Sequence, residues 1–224
     1  LTHGDFANDL NPYERHLAQI LGDAGYETHL FGGQHEARSA SRCGFGTIHP
    51  GGSAAEVAAE FAAHADGLGR EGVPFFAEIG FFEPHRGFPS EGIEPIGPSA
   101  VSVPDFLPHI PEVRNDLAAY EASIATADSA VGTILDALKG TGHNANTYVV
   151  FTSDHGCPFP GAKMTLYDPG IEIPLIVSGP GITPHVSDAL LSNLAFVPTM
   201  LDVLGIQAED DLHDVSFAAE MGEM

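Results

Sequence analysis

The chain has 224 residues, with 31 acidic and 8 basic side chains, which gives a formal net charge of −23 at pH 7. Nucleic acids and anionic membranes bind basic patches, so we expect neither as a partner of this chain. The hydrophobic content of 43% and the lack of an apolar run long enough to span a bilayer predict a soluble globular protein. The charge also favours a halophilic, high-salt setting, in which screening weakens self-repulsion, with an ordinary acidic protein as the alternative.

The termini and the cysteines leave the compartment open. The sequence starts with Leu1 and shows no charged segment followed by an apolar one, so a signal peptide is removed, absent or upstream. Two cysteines, Cys43 and Cys157, make neither a CxxC pair nor a disulfide framework. Localisation and oligomeric state are therefore not predicted.

Helical and strand patterns alternate along the chain. The predicted helices cover residues 12–24, 54–65, 112–139 and 191–204, and the predicted strands cover 27–31, 73–81, 148–151 and 173–178. The strands at 73–81 and 148–151 are apolar and β-branched or aromatic, which is typical of strands buried in a parallel sheet. The order predicts an α/β fold with a mostly parallel sheet that is flanked by helices on both faces.

Two stretches show little periodicity. Residues 36–53 read as an irregular loop, in which His49 has either a structural role or a contact with substrate. Residues 88–111 are rich in Pro and Gly and predict a long connection or lid.

Polar side chains follow three of the predicted strands. His35 comes after the first strand, His85 after the second, and the pair Asp154–His155 after the third. In open α/β sheets ligands bind outside the carboxyl ends of the strands, and a carboxylate beside an imidazole can hold a metal ion. Turn chemistry is the alternative explanation for Asp154-His155-Gly156 and for Pro84-His85.

Three segments resemble the sulfatase family of the alkaline phosphatase superfamily. Residues 149–176 contain FTSDHG, PFP, AK and LYDPG, and this segment is most similar to the branch with heparan N-sulfatase and bacterial arylsulfatases. The stretch from Gly25-Tyr26-Glu27-Thr28 to His35, and Pro84-His85 after its strand, resemble two further segments. The resemblance implies an alkaline phosphatase-like fold and the hydrolysis of sulfate esters or sulfamates of small molecules or saccharides.

The resemblance also implies roles for individual residues. Asp154 and His155 would hold a divalent metal ion, and His35, His85 and Lys163 would be catalytic. Oxygen-only sites favour Ca²⁺, whereas an imidazole ligand also admits Mn²⁺ or Zn²⁺, and Mg²⁺ is a further alternative. The chain departs from the family pattern at three positions, with Gly33 where many members have Lys, His155 where many have Asn, and Ala195 where Asp is usual.

The family's nucleophile is a formylglycine made from Cys or Ser in a C/S-x-P-x-R motif. Cys43-Gly44-Phe45-Gly46-Thr47 lacks both the Pro and the Arg, so we reject Cys43 as the nucleophile. The resemblance implies that residues 1–224 are a single partial catalytic domain, a fragment without the first strand, the nucleophile motif and the C-terminal subdomain. We expect these residues alone to be inactive. The alternatives are a phosphatase or phosphonate monoester hydrolase of the same superfamily, and a non-catalytic metal-binding remnant.

Overall fold

The computed structural model of the protein describes residues 10–207, 212 and 214–222. They divide into two compact units. Unit 1 contains the residues up to 142 together with 152–174, and unit 2 contains residues 143–151 together with those from 175 onward. The single partial catalytic domain over residues 1–224 stays a prediction.

Unit 1 contains a three-stranded sheet. Its strands are β1 (Glu27–Gly32), β2 (Thr47–Ile48) and β3 (Phe75–Gly80), in the order β2-β1-β3. β1 pairs in parallel with both neighbours, and its register with β3 runs from Glu27 opposite Phe75 to Gly32 opposite Gly80. This arrangement confirms the predicted parallel sheet, while β2 lies inside the stretch that we predicted to be an irregular loop.

Helices cover β1 on both of its faces. On one face, Leu30 packs with Ala18 of α1 (Leu17–Asp23) in a buried apolar cluster. On the other face, the Phe31 ring meets the Phe61 ring of α2 (Ala54–His64) edge-on, with centroids 5.2 Å apart. Successive side chains of a strand point to opposite faces, so neighbouring residues of β1 reach different helices. The predicted α/β fold with helices on both faces is confirmed.

Capping residues decide where the first two helices begin. α1 begins later than predicted because the Ala18 N–H donates to His16 Nδ1 at 3.1 Å and the His16 N–H donates to Gln19 Oε1 at 3.0 Å. The same reciprocal capping by Ser53 and Glu56 starts α2 at the predicted residue.

α3 (Pro111–Thr141) is the longest helix among the described residues and packs against α2. The predicted helix ends at residue 139, but α3 runs on to Thr141, and Gly142 after it takes the left-handed conformation at φ 81°. Residues 88–110 form no helix or strand, yet four of their apolar side chains are buried in a cluster with residues of α3. This apolar cluster contains Phe88, Val101, Val103, Leu107, Leu117, Ala118 and Phe159.

β4 (Val149–Thr152) pairs with β5 (Leu175–Ser178) in a separate two-stranded sheet. The prediction that this strand is covered on both faces is wrong, since the Phe151 residue is 40% exposed. Among the described residues, β5 is the one strand hydrogen-bonded to β4, and a two-stranded sheet cannot cover its own faces.

The predicted strand at 73–81 is likewise only half-buried along β3. The reason is that β3 pairs with β1 alone and forms an edge of the described sheet.

The last elements are short. α4 (Asp168–Ile171) is a single turn in unit 1, and α5 (Phe196–Val203) lies in unit 2. α5 starts later than the predicted residue 191, because Pro198 lacks an N–H and is tolerated only in the first turn of a helix. No helix in the described part of the chain is both long and apolar enough to cross a membrane.

Candidate active site

Asp154 and His155 lie directly after β4, as predicted, and their side chains face each other. Asp154 Oδ2 and His155 Nε2 are 3.4 Å apart. His155 Nδ1 donates to the Gly156 carbonyl oxygen at 2.7 Å, so Nδ1 carries the proton and Nε2 keeps its lone pair in the neutral ring. The Asp154 side chain is 71% exposed, so its carboxylate can turn toward a bound cation.

The loop that carries this pair is tightly folded. The Gly156 N–H donates to the Gly170 carbonyl oxygen at 3.0 Å, and a Cβ at Gly156 would lie only 1.9 Å from the Pro169 carbonyl oxygen. Farther along, the Lys163 N–H donates to the Cys157 carbonyl oxygen at 3.1 Å. The loop therefore returns on itself and holds the half-buried Lys163 and the Asp154–His155 pair in one compact segment.

The loops after β1 and β3 are in contact with each other. The Gly33 N–H donates to the Gly80 carbonyl oxygen at 3.0 Å, which extends the pairing of the two strands. A Cβ on Gly33 would lie 3.0 Å from the Phe82 ring, and the His35 ring meets the Phe82 ring edge-on at 5.5 Å. Phe82 thus connects the loop that carries His35 to the loop that carries His85.

His85 is held by the backbone of its own turn. Its N–H donates to the Phe82 carbonyl oxygen at 2.7 Å, and its Nδ1 donates to the Arg86 carbonyl oxygen at 3.1 Å. A carbonyl oxygen only accepts, so the lone pair of the neutral ring lies on Nε2. Both His35 and His85 are exposed, and His85 Nε2 can exchange a proton with a bound molecule.

Arg86 joins the loop after β3 to the loop after β4. Its Nη2 donates to the Pro158 carbonyl oxygen at 3.3 Å, and its guanidinium lies over the Phe159 ring, 5.4 Å from the centroid. The structure therefore links three loops, which carry His35, His85, and the Asp154–His155 pair with Lys163. Within this set, Asp154 and His155 are in direct side-chain contact.

The Asp154–His155 pair fits a divalent cation. Two ligands bound to one ion at about 2.0–2.4 Å are separated by about 3 Å, close to the observed distance between carboxylate oxygen and imidazole nitrogen. The bond from His155 Nδ1 to the Gly156 carbonyl oxygen is the outer contact that orients a ligating imidazole. The described residues also contain two groups of three potential metal ligands, and neither group includes this pair.

Those two groups were not predicted from the sequence. One contains His16, Glu36 and Cys43, and the other contains His49, Glu60 and His64. Each combines residues from separate elements, so no single stretch of sequence shows the whole set. The signal that could have been noticed is the spacing of Glu60 and His64, which places both on one side of α2.

The half-buried carboxyl group of Glu78 lies beside the first of these groups, next to His16. Burial, and next the charge of Glu36, raise the pKa of Glu78 to about 7. Burial lowers the pKa of His16, whose Nε2 lies 3.7 Å from Glu78 Oε2. Both shifts oppose charge, so burial favours the neutral form of each group and weakens any ion pair between them. The nearby Cys43 is completely buried, in agreement with its rejection as the nucleophile.

Comparison with known proteins decides the family. The sulfatase family model matches residues 2–206. The chain belongs to the sulfatase family. Human N-sulphoglucosamine sulphohydrolase is 36% identical over 159 residues, which cover 59% of this chain and 32% of the human protein. Arylsulfatase K of Xenopus laevis is 38% identical over 112 residues, which cover 47% of this chain and 20% of that protein.

Solved sulfatase structures share the fold. A Bacteroides thetaiotaomicron 4S-sulf structure from work on glycosaminoglycan metabolism superimposes with a TM-score of 0.76 at 21% identity, covering 95% of this chain and 58% of that chain. A structure in complex with its substrate D-glucosamine-2-N,6-O-disulfate gives a TM-score of 0.74 at 16% identity, covering 96% and 66%. In the sequence comparisons, by contrast, the chain spans about a third or less of the length of the two curated relatives it matches.

Proposed function

We propose that this sulfatase-family chain is part of a metal-dependent hydrolase of sulfate esters or sulfamates. The observation that carries the proposal is the hydrogen bond from Arg86 to the Pro158 carbonyl oxygen. It ties the loop that holds His85 to the loop that holds Lys163 and the Asp154–His155 pair. Family membership supports the type of reaction.

The first task of this site is to attract an anion to a protein of net charge −23. Lys163 is one of two lysines in the chain, and it supplies a fixed positive charge beside the Asp154 loop. Asp154 Oδ2 and His155 Nε2 are the atoms that would hold the divalent cation. When bound, that cation polarises a sulfate oxygen and neutralises part of its charge.

The second task is to move a proton. The leaving oxygen or nitrogen of a sulfate ester or sulfamate must be protonated as the bond to sulfur breaks. We assign this role to His85, whose Nε2 is the exchangeable ring nitrogen because Nδ1 donates to the Arg86 carbonyl oxygen. His35, whose loop is in contact with the His85 loop through Phe82, would stabilise the developing negative charge.

The nucleophile is proposed to be a formylglycine from outside these 224 residues. Neither cysteine suits the role. Cys43 is buried, and burial, as the largest cause, raises the pKa of the Cys157 thiol and so disfavours the reactive thiolate.

The proposed substrate is a sulfated saccharide, with sulfated glucosamine as the first choice. The human relative is named for N-sulphoglucosamine, and one structural neighbour was solved with D-glucosamine-2-N,6-O-disulfate. Ca²⁺ is the proposed ion, and Mn²⁺, Mg²⁺ and Zn²⁺ are to be compared because His155 adds a nitrogen ligand.

The test is a substrate panel with the complete natural protein that contains this chain and a C/S-x-P-x-R motif. We expect hydrolysis of N-sulfoglucosamine or an aryl sulfate, loss of activity with EDTA, and recovery with Ca²⁺ or Mn²⁺. Preferred hydrolysis of an aryl phosphate or a phenylphosphonate ester would establish the superfamily alternative instead. Metal binding without turnover of any of these substrates would indicate the non-catalytic remnant.

A further inference from the structure

We propose a second metal site in unit 1, in which His49, Glu60 and His64 bind one late first-row transition ion of the Zn²⁺ type. His49 directly follows β2, and the other two residues lie one turn apart on α2. None of the three belongs to the proposed sulfatase site. The proposal is thus independent of the proposed hydrolytic reaction.

The distances between the side chains fit a tetrahedral ion. Glu60 Oε1 lies 3.4 Å from His49 Nδ1 and 3.5 Å from His64 Nδ1, and one potential ligand atom from each residue lies within 4.8 Å of the others. In a tetrahedral zinc site with bonds of about 2.0–2.1 Å, neighbouring ligands are about 3.3–3.4 Å apart. The carboxylate is therefore already at the ligand spacing from both imidazoles.

His49 is the most firmly held of the three ligands. Its ring stacks on Phe31 with centroids 3.9 Å apart and planes 7° from parallel, and the residue is only 7% exposed. Its backbone N–H also donates to the Leu30 carbonyl oxygen at 2.8 Å, which fixes the chain beside β1. The ring position is thus determined before an ion arrives.

The far nitrogen of His49 has the partner that a metal-bound imidazole requires. His49 Nε2 lies 3.1 Å from His29 Nδ1, and His29 Nε2 lies 3.9 Å from Glu27 Oε2. With an ion on Nδ1, His49 donates its Nε2–H to His29 Nδ1, and the His29 Nε2–H then faces the Glu27 carboxylate. Outer contacts of this kind orient ligating histidines and increase their basicity.

His64 is the adjustable ligand. Its Nδ1 also lies 2.9 Å from the Glu60 carbonyl oxygen, in a hydrogen bond within the helix. Either the ion replaces this hydrogen bond at Nδ1, or the bond is kept and the ring turns so that Nε2 binds the ion. The side chain is 46% exposed and can make this adjustment. The open side leaves room for water as the fourth ligand, and the ion would fasten the end of β2 to α2.

The second site is separated from the loops of the proposed active site. The first residue of α2, Ala54, donates its N–H to Glu83 Oε1 at 3.1 Å, close to the loop that carries His85. Glu60 lies six residues farther along the helix, which corresponds to about 9 Å along its axis. An ion at Glu60 would therefore be distinct from an ion at Asp154.

The experiment is a Co²⁺ titration of the purified protein in excess Ca²⁺. Ca²⁺ prefers oxygen ligands and occupies carboxylate-rich sites, while Co²⁺ replaces Zn²⁺ and gives intense visible bands when it is four-coordinate. We expect one equivalent of Co²⁺ with such bands, displaced by Zn²⁺. His64→Ala should remove the bands, and Glu60→Gln should weaken Co²⁺ binding by about tenfold or more.

Two control variants make the result decisive. His109→Gln changes an exposed histidine in a loop and should bind Co²⁺ like the unchanged protein. Asp154→Asn alters the other proposed metal site and should also keep the bands. The proposal is overturned if His64→Ala and Glu60→Gln keep the full Co²⁺ spectrum, or if the unchanged, folded protein shows no four-coordinate Co²⁺.

Discussion

The Arg86 guanidinium connects two segments that lie 72 residues apart in the chain. Its Nη2 donates to the Pro158 carbonyl oxygen at 3.3 Å, and its Nη1 pairs with Asp116 of α3 at 2.9 Å. It also lies over the Phe88 ring, 4.8 Å from the centroid. One side chain thus holds together the two loops that carry most of the proposed catalytic residues.

Replacing Arg86 should therefore affect activity more than stability. Arg86→Ala removes an exposed ion pair and two cation–π contacts, together worth about 1–2 kcal/mol of unfolding free energy. We expect kcat/KM of the complete enzyme to fall by about tenfold to a hundredfold, because misplaced loops disturb the reacting geometry. Asp116→Asn is the matched control, since it keeps the bond to Pro158. Equal kinetic losses in both variants would count against a positioning role for Arg86.

Gly80 occupies a position where a side chain does not fit. A Cβ there would lie 1.9 Å from the Gly33 carbonyl oxygen, which is backbone and cannot move aside easily. Gly80→Ala should lower the unfolding free energy by about 2–3 kcal/mol, measured by urea denaturation. The control is Gly132→Ala in the exposed middle of α3, where no atom lies within 4 Å of the added Cβ. It should stabilise the protein by about 0.5–1 kcal/mol. If both variants change the unfolding free energy in the same direction, the clash at Gly80 is refuted.

Lys163 and Lys139 are the two lysines of the chain and form a natural matched pair. Lys163→Ala should lower kcat/KM of the complete enzyme by about tenfold to a thousandfold, or roughly 1.4–4 kcal/mol of transition-state binding. Lys139→Ala, in the last turn of α3, should leave kcat/KM unchanged. If both variants respond alike, the effect comes from the overall charge of the protein and not from a contact of Lys163 with the sulfate.

Asp154 should be needed for metal at the proposed active site. Asp154→Ala removes one of the two proposed ligands, so bound Ca²⁺ or Mn²⁺ should be lost and kcat should fall by more than about a hundredfold. Metal content after gel filtration and turnover are the measurements. Asp188→Asn, an exposed position in unit 2, is the control and should keep both. Stoichiometric Ca²⁺ or Mn²⁺ in purified Asp154→Ala would remove the ligand assignment.

Glu78 should make stability depend on pH. Its pKa in the folded protein is raised to about 7, so between pH 4.5 and 7 the folded state binds a proton that the unfolded chain has released. Stability contributed by this group is therefore lost as pH rises through that window. Glu78→Gln should remove this loss and raise the unfolding free energy at pH 8 by roughly 1–3 kcal/mol.

The effect of Glu78 is separated from that of its titratable neighbours by a control variant and by a fixed background. Glu94→Gln changes an exposed carboxylate and should show no such gain. His16 and Glu36 both lie near Glu78, so the unfolding curves are to be compared from pH 5 to pH 8 with these residues unchanged. A difference between Glu78→Gln and the parent that stays constant over this range would rule out titration of Glu78 as the cause.

Local signals predicted much of the fold. The helix predicted at 54–65 matches α2 at its first residue, and the predicted strands identified β1, β3, β4 and β5. β2 was missed because its two residues, Thr47 and Ile48, are too few to show a pattern. The burial of β3 and β4 was overestimated, because the composition of a strand does not reveal how many neighbours it has.

The candidate site was predictable only one loop at a time. Strand ends and motifs marked His35, His85 and Asp154, since each follows its own short signal. The contact that links the loops, from Arg86 to Pro158, joins residues far apart in sequence and leaves no local trace. The group of His49, Glu60 and His64 was missed for the same reason, because a two-residue strand and a helix bring it together.

The connectivity of unit 1 has a consequence for synthesis of the protein on the ribosome. The chain leaves unit 1 after residue 142, contributes residues 143–151 to unit 2, and returns to unit 1 for residues 152–174. At about 5–20 residues per second, seconds pass between the emergence of α3 and that of the returning segment. Throughout that interval the nascent unit 1 lacks Phe159, and its apolar partners Phe88 and Leu107 stay uncovered on one side. Chaperone binding during translation should therefore concentrate on nascent chains from which α3 has emerged and the segment 152–174 has not.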